Sequence, residues 1–158
     1  MALRVRRVVT GHDTSGKAVA KIDEVATHVV EGRKGAMALN VWSTDTWPSN
    51  NDGDEDMGKR KLGTTAPNGT IFRILEFSPG LAARNHRTDS IDYIIVHSGE
   101  IDMELDDTRV HLKAGDTMVQ RGTIHNWVNN GTEPCVLAVI LVRAKSVEVS
   151  GKVLPAIG

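Results

Sequence analysis

Cysteine is nearly absent from this chain: Cys135 is the only one among 158 residues, so no disulfide can form within it. Its place beside an apolar run reads as a buried thiol in a reducing compartment. Long hydrophobic runs are also missing. The longest, "VLAVILV" at 136–142, is too short to span a bilayer, and "MALRVRRVVTGH" at the start has positive charge without the apolar stretch of a signal peptide. The expectation is a soluble, cytoplasmic protein. Nor is there an excess of charge of one sign. With 19 Lys+Arg against 20 Asp+Glu the net charge is −1, which gives no bulk attraction to nucleic acid or to an anionic membrane. A small-molecule partner is expected instead. Finally, no segment carries helical periodicity for more than about two turns, no internal repeat is visible, and no helix-turn-helix accompanies the rest.

What the sequence does contain is strands. From residue 70 onward, alternating or β-branched runs are punctuated by turn residues, the signature of an all-β sandwich or barrel. "TIFRILEF" (70–77) ends at "SPG", "IDYIIV" (91–96) at "HSGE", "IDMEL" (101–105) at "DDT" and "RVHL" (109–112) at "KAGD". In "IDMEL" the apolar Ile101, Met103 and Leu105 alternate with Asp102 and Glu104, as a strand with one wet face requires. "VLAVILV" is apolar on both faces. It is expected to be a central strand, or an edge covered by a second subunit, which would make the chain a homodimer. Upstream, "RVRRVV" and "KAVAKI" flank "TGHDTSG" as a hairpin, and "AMALNVW" (36–42) reads as a further strand.

A single domain is expected at this length. Residues 1–69 would supply N-terminal strands and a long loop that pack on or complete a barrel, 70–145 the barrel itself, and 146–158 a C-terminal tail. The loop, 43–66, is the one long irregular segment. Its "NDGDED" has the glycine misplaced for a calcium loop, so a solvated loop is expected, with Trp42 and Trp47 anchoring it as a lid or arm.

Four residues stand out as candidates for chemistry. His86, Thr88 and Asp92 have even separations, so an extended chain points them to one face, while Asp89 points away. His125, Trp127 and Asn129 share a face in the same way. Two imidazoles and one carboxylate with positions left open suit non-haem Fe(II), and also Mn, Zn, Ni or Co. His12, His28, His97 and His111 are isolated and read as ordinary histidines. Trp127 is a candidate pocket wall or core residue. Arg73 and Arg84 are candidates to clamp a substrate carboxylate, with Arg84 expected to be exposed.

The stretch from Gly80 to Asn129 resembles the two motifs of the cupin superfamily, small jelly-roll β-barrels. Gly80, His86, Thr88, Asp92 and Gly99 fall at the spacings of G-x5-H-x-H-x3,4-E-x6-G. Gly115, Gln120, Gly122, His125 and Asn129 follow G-x5-P-x-G-x2-H-x3-N with one residue fewer after Gly115. "HRTDSIDY" and "QRGTIHNW" are similar to small single-domain cupins in particular. The resemblance implies an RmlC-like jelly roll with an N-terminal β extension and one divalent metal ion (Fe, Mn, Zn or Ni) held by His86, Asp92 and His125. Thr88, in place of the second histidine, would orient Asp92 or a metal-bound water. The activity implied is a redox-neutral lyase or isomerase: dehydration, decarboxylation or cyclisation beside a carbonyl. A non-haem iron dioxygenase and a non-catalytic ligand-binding module are the alternatives.

Overall fold

The computed structural model describes residues 3–158. Its strands are β1 (Arg6–His12), β2 (Ala18–Val25), β3 (Val30–Glu31), β4 (Ala36–Ser43), β5 (Thr70–Phe77), β6 (Ser90–Ser98), β7 (Glu100–Glu104), β8 (Arg109–Lys113), β9 (Thr117–Arg121), β10 (Asn126–Val128), β11 (Cys135–Arg143), β12 (Val147–Val149) and β13 (Lys152–Leu154). Among the described residues no α-helix occurs, only a 3-10 turn at Met57–Lys59, and so none is long and apolar enough to cross a membrane.

A six-stranded antiparallel sheet, ordered β3-β4-β5-β11-β6-β9, faces a three-stranded one, β10-β7-β8. Strand alternation places the core between them. Ile94 and Val96 of β6, Leu137, Val139 and Leu141 of β11, and Ile101 and Met103 of β7 are all buried in one cluster. This is the expected jelly-roll barrel. Upstream of residue 70, β4 extends the larger sheet, pairing with β5 from Ala36↔Phe77 to Ser43↔Ile71.

"VLAVILV" is the centre of the larger sheet, hydrogen-bonded to β5 on one side and β6 on the other. The first of its two expected positions is thus the observed one, and the edge-strand argument for a second subunit falls away. What could still carry a homodimer is an outward row across four strands, Phe72, Ile140, Tyr93 and Val119, of which Phe72, Tyr93 and Val119 are exposed.

The β1–β2 hairpin lies outside the barrel and covers β4 through Leu3, Ala26 and Leu39, with Ile74 of β5 against them. The long loop is held down differently from expectation. Trp47 is 77% exposed and anchors nothing, whereas Arg7 reaches in from β1 to Asp56, Ser43 Oγ donates to Met57 O at 2.6 Å, and Arg60 pairs with Glu55 at 2.7 Å. Charge matching, not aromatic packing, fixes this segment. At 146–158 the chain turns back as the β12–β13 hairpin, and Ile157 then bridges to Arg87.

The candidate functional site

A cavity of about 780 Å³ opens between the sheets. Its floor comes from β4, β5, β6 and β11, one side from residues 58–64 of the long loop, and its far wall from His125 and Trp127. The period-two prediction holds along the approach to β6. His86, Thr88, Ser90 and Asp92 are buried, while Arg87, Asp89 and Ile91 are less so. The two motifs are stitched together by their own histidines: His86 N donates to His125 O and His125 N to His86 O, both at 3.0 Å.

Four glycines that fall on motif spacings, Gly80, Gly99, Gly115 and Gly122, have φ between 61° and 92°. These are turn conformations that side chains disfavour. At Gly99 a Cβ would also lie 2.6 Å from Pro134 O. The spacing of the motifs is therefore the spacing of the corners.

The imidazoles of His86 and His125 lie side by side, ring centroids 4.2 Å apart. Nδ1 of His125 is 3.0 Å from Thr123 O and Nδ1 of His86 is 3.3 Å from Arg84 O. A carbonyl only accepts, so these contacts put the ring proton on Nδ1 and leave each Nε2 as a lone pair; Gln120 Nε2, 3.2 Å from His125 Nδ1, donates its two protons to Thr123 O and Oγ1 instead. Burial, then the neighbouring His125, pushes His86 down to about 4. His125 is pushed down by burial, with Arg84 and Arg33 adding to it. Both rings are neutral at pH 7.

Asp92 is set apart from them. Ser90 Oγ lies 2.6 Å from Asp92 Oδ1 and 2.8 Å from Thr88 Oγ1. One hydroxyl has one proton, and the carboxylate can only accept, so the chain of donation runs Thr88 to Ser90 to Asp92. Burial raises the Asp92 carboxyl to about 6, opposed by the Ser90 bond, and no cation offsets it. Among the described residues Asp92 has no ion pair.

The cavity collects all three expected metal donors, yet among the described residues no group of three or more His, Cys, Asp or Glu side chains stands close enough to hold a metal ion. The two Nε2 lone pairs fit a metal. The carboxylate, engaged by Ser90, does not close the set.

Trp127 is both core and wall: it is buried, packs at 6.2 Å from Phe77 and stands nearly perpendicular to the His125 ring. Arg73 lines the cavity from β5, with Nε on Asn40 Oδ1 and Nη2 on Gly63 O. Arg84 is half-buried on the cavity wall, not exposed as expected, because Nη2 donates to Gly158 O at 2.8 Å. Sequence reasoning missed Arg33, which lies over the Phe77 ring at 5.5 Å. Asn129 holds a corner, donating to Phe77 O and Glu133 O.

The Cupin_2 family model (Cupin domain) matches residues 73–141. The cupin-domain-containing oxidoreductase fogC of Aspergillus ruber is 33% identical over 94% of this chain and 77% of its own length. The chain belongs to the cupin family. This cupin is also similar to virC of Hypocrea virens, another cupin-domain-containing oxidoreductase, at 33% identity over 93% of this chain and 80% of that one. Phomopsin biosynthesis cluster protein C' of Diaporthe leptostromiformis is 35% identical over 94% of this chain and 83% of its own. In fold, the RmlC-like cupin of Shewanella frigidimarina superposes with a TM-score of 0.50 over 75% of this chain and 85% of that one, at 15% identity.

Proposed function

We propose that this cupin is an enzyme that moves a proton beside a carbonyl of a small oxygenated molecule, a dehydration, isomerisation or cyclisation without net redox change. The observation that carries the reading is the placement of Asp92: a buried carboxylate on the cavity wall, free of any cation and aimed by Ser90. Such a group is a proton acceptor held in one orientation. In the same cavity, His86 and His125 offer neutral Nε2 lone pairs that accept from a substrate hydroxyl. Burial of Asp92, His86 and His125 lowers the local dielectric, which strengthens each of these contacts.

Solvent-deuterium incorporation at the α-carbon of a panel of β-hydroxy ketones and β-hydroxy acids, followed by NMR, tests the reading. Asp92→Asn is expected to slow exchange by about 10²-fold or more, the usual worth of a positioned base. Exchange that survives in Asp92→Asn, or none with the wild type, would remove it.

A second reading is favoured by the names of the relatives, several of which are called oxidoreductases. There a divalent metal, iron for a dioxygenase, would sit on His86 and His125, and Asp92 would have to leave Ser90 to join them. Metal analysis and oxygen uptake after anaerobic Fe(II) loading, over catechols and β-diketones, separate the two. Stoichiometric iron that is lost in His125→Ala, together with substrate-dependent uptake, would establish the oxidoreductase instead.

A further inference from the structure

The cavity wall carries positive charge that no carboxylate among the described residues neutralises. Arg33 and Arg73 face the cavity, and among the described residues neither has a carboxylate within ion-pair distance. Elsewhere Arg6, Arg7, Arg60, Arg109 and Arg143 all lie against Asp or Glu, whereas Arg4, Arg87 and Arg121 have no such partner among the described residues but do not line the cavity. A guanidinium stays charged at any accessible pH, and burying it unpaired is costly.

Arg33 is the sharper case. Its Nε donates to Ala82 O at 2.6 Å, its carbon plane covers Phe77, and its Nη2 is buried with no hydrogen-bond partner. Arg33 lines the cavity with its charge unpaired and one donor unmatched, and a guanidinium in that state calls for an acceptor. Arg84 is near enough to push the Arg33 pKa down, after burial, so the two cations repel until an anion joins them. Beside Arg33 the walls are apolar: Leu75, Phe77 and Trp127. Arg73 lies four residues before Phe77 on the same face of β5, roughly 13 Å away at strand spacing, and keeps the far end positive as well. Among the described residues Asp92 is the only acid on the cavity wall, and it pairs with neither.

We infer that the cavity takes an organic acid, its carboxylate seated on Arg33 beside Arg84 and its apolar or aromatic body laid along Leu75, Phe77 and Trp127. This rests on the small-molecule enzyme reading above and adds the substrate class. Arg33 is then a specificity residue that selects the acid over its neutral relatives.

Matched pairs test it by calorimetry and thermal shift: cinnamate against cinnamamide, and octanoate against octanamide. The acids are expected to bind about tenfold or more tighter than the amides, the size of one charge-assisted contact. Arg33→Gln should bring each pair to within about twofold, Arg33→Lys should keep part of the preference because the charge remains, and Arg6→Gln, at an exposed position, should change nothing. Asp92→Asn should keep the preference while losing turnover, so the two readings fail separately. Equal binding of acid and amide, binding of neither, or selectivity that survives Arg33→Gln overturns the inference.

Discussion

Arg7 and Arg33 are both long cations folded into the protein, one from β1 and the other from the turn that leads into β4. The Arg7 side chain has no exposure at all and is bracketed by Glu24 and Asp56, with Nη1 also directed at Val41 O. Arg33 reaches only a backbone carbonyl and leaves Nη2 unmatched. The first is complete within the chain. It ties the β1–β2 hairpin to the long loop, and the room for it is kept by Gly58, where a Cβ would lie 2.3 Å from Nη1. The second is incomplete, and it lies on the cavity. A matched buried charge marks a structural clasp; an unmatched one marks a place where something else binds.

The clasp is where breakage should cost most. Arg7→Met keeps the length of the side chain and removes the charge, leaving Asp56 and Glu24 facing an apolar tip. A loss of about 2 to 4 kcal/mol is expected, below a wholly buried pair because both carboxylates are partly exposed. Urea denaturation at pH 7 measures it. The clasp should also weaken in acid. Asp56 is held down to about 2, first by its hydrogen bonds to Arg7, so it contributes stability that is present above its ordinary carboxylate range and lost as pH falls through about 2. In Arg7→Met that acid-side slope should shrink; an unchanged slope would mean the pair is not what binds the hairpin to the loop.

Asp92 behaves in the opposite sense. Its folded-state carboxyl is raised to about 6, so the folded chain holds more protons than the unfolded one between about 4 and 6, and stability falls as pH rises through that window. His86, lowered to about 4, slopes the other way: its contribution is present above the ordinary histidine range and lost as pH falls towards 4. The two offset each other in the wild type. Asp92→Asn, which still accepts from Ser90, should stabilise the chelator-treated protein at pH 7.5 by about 2 kcal/mol, somewhat under the full two-unit shift because the amide is itself buried. It should also uncover the rising histidine slope between pH 4 and 6.5. Thermal melts across that range decide the matter, and a variant that melts lower at pH 7.5 would show Asp92 to be better compensated than its surroundings indicate.

The parts of this fold visible in the sequence are those written in local periods. "IDMEL" and "VLAVILV" show their faces by alternation, and the motif glycines mark corners because the backbone there turns through positive φ. The meeting of His86 with His125 followed from motif spacing for the same reason. Arg33 was invisible, since an arginine between glycines in "EGRKG" looks like any surface turn, and its partners Phe77 and Ala82 are more than forty residues away. Asp56 met Arg7 across 49 residues, in a loop whose acidic run reads as solvated. Trp47 misled in the other direction: a tryptophan suggests an anchor, but this one is left in solvent while ion pairs do the anchoring. Asp92 was legible as a candidate ligand, yet its hydrogen-bond partner is Ser90, a residue of no motif.

The smallest effect expected is also the one that most directly separates the two arginines. Arg33→Met retains the apolar stem over Phe77 and gives up the charge, one hydrogen bond to Ala82 O and the cation–π contact. Those losses are each about 1 kcal/mol and are opposed by removal of an unpaired buried guanidinium, so stability should change by less than about 1 kcal/mol in either direction. The same replacement at Arg7 is expected to cost several times more. If both substitutions destabilise alike in urea, Arg33 is a second clasp and its guanidinium is satisfied within the fold. If only Arg7→Met does, the charge at Arg33 is carried for what enters the cavity.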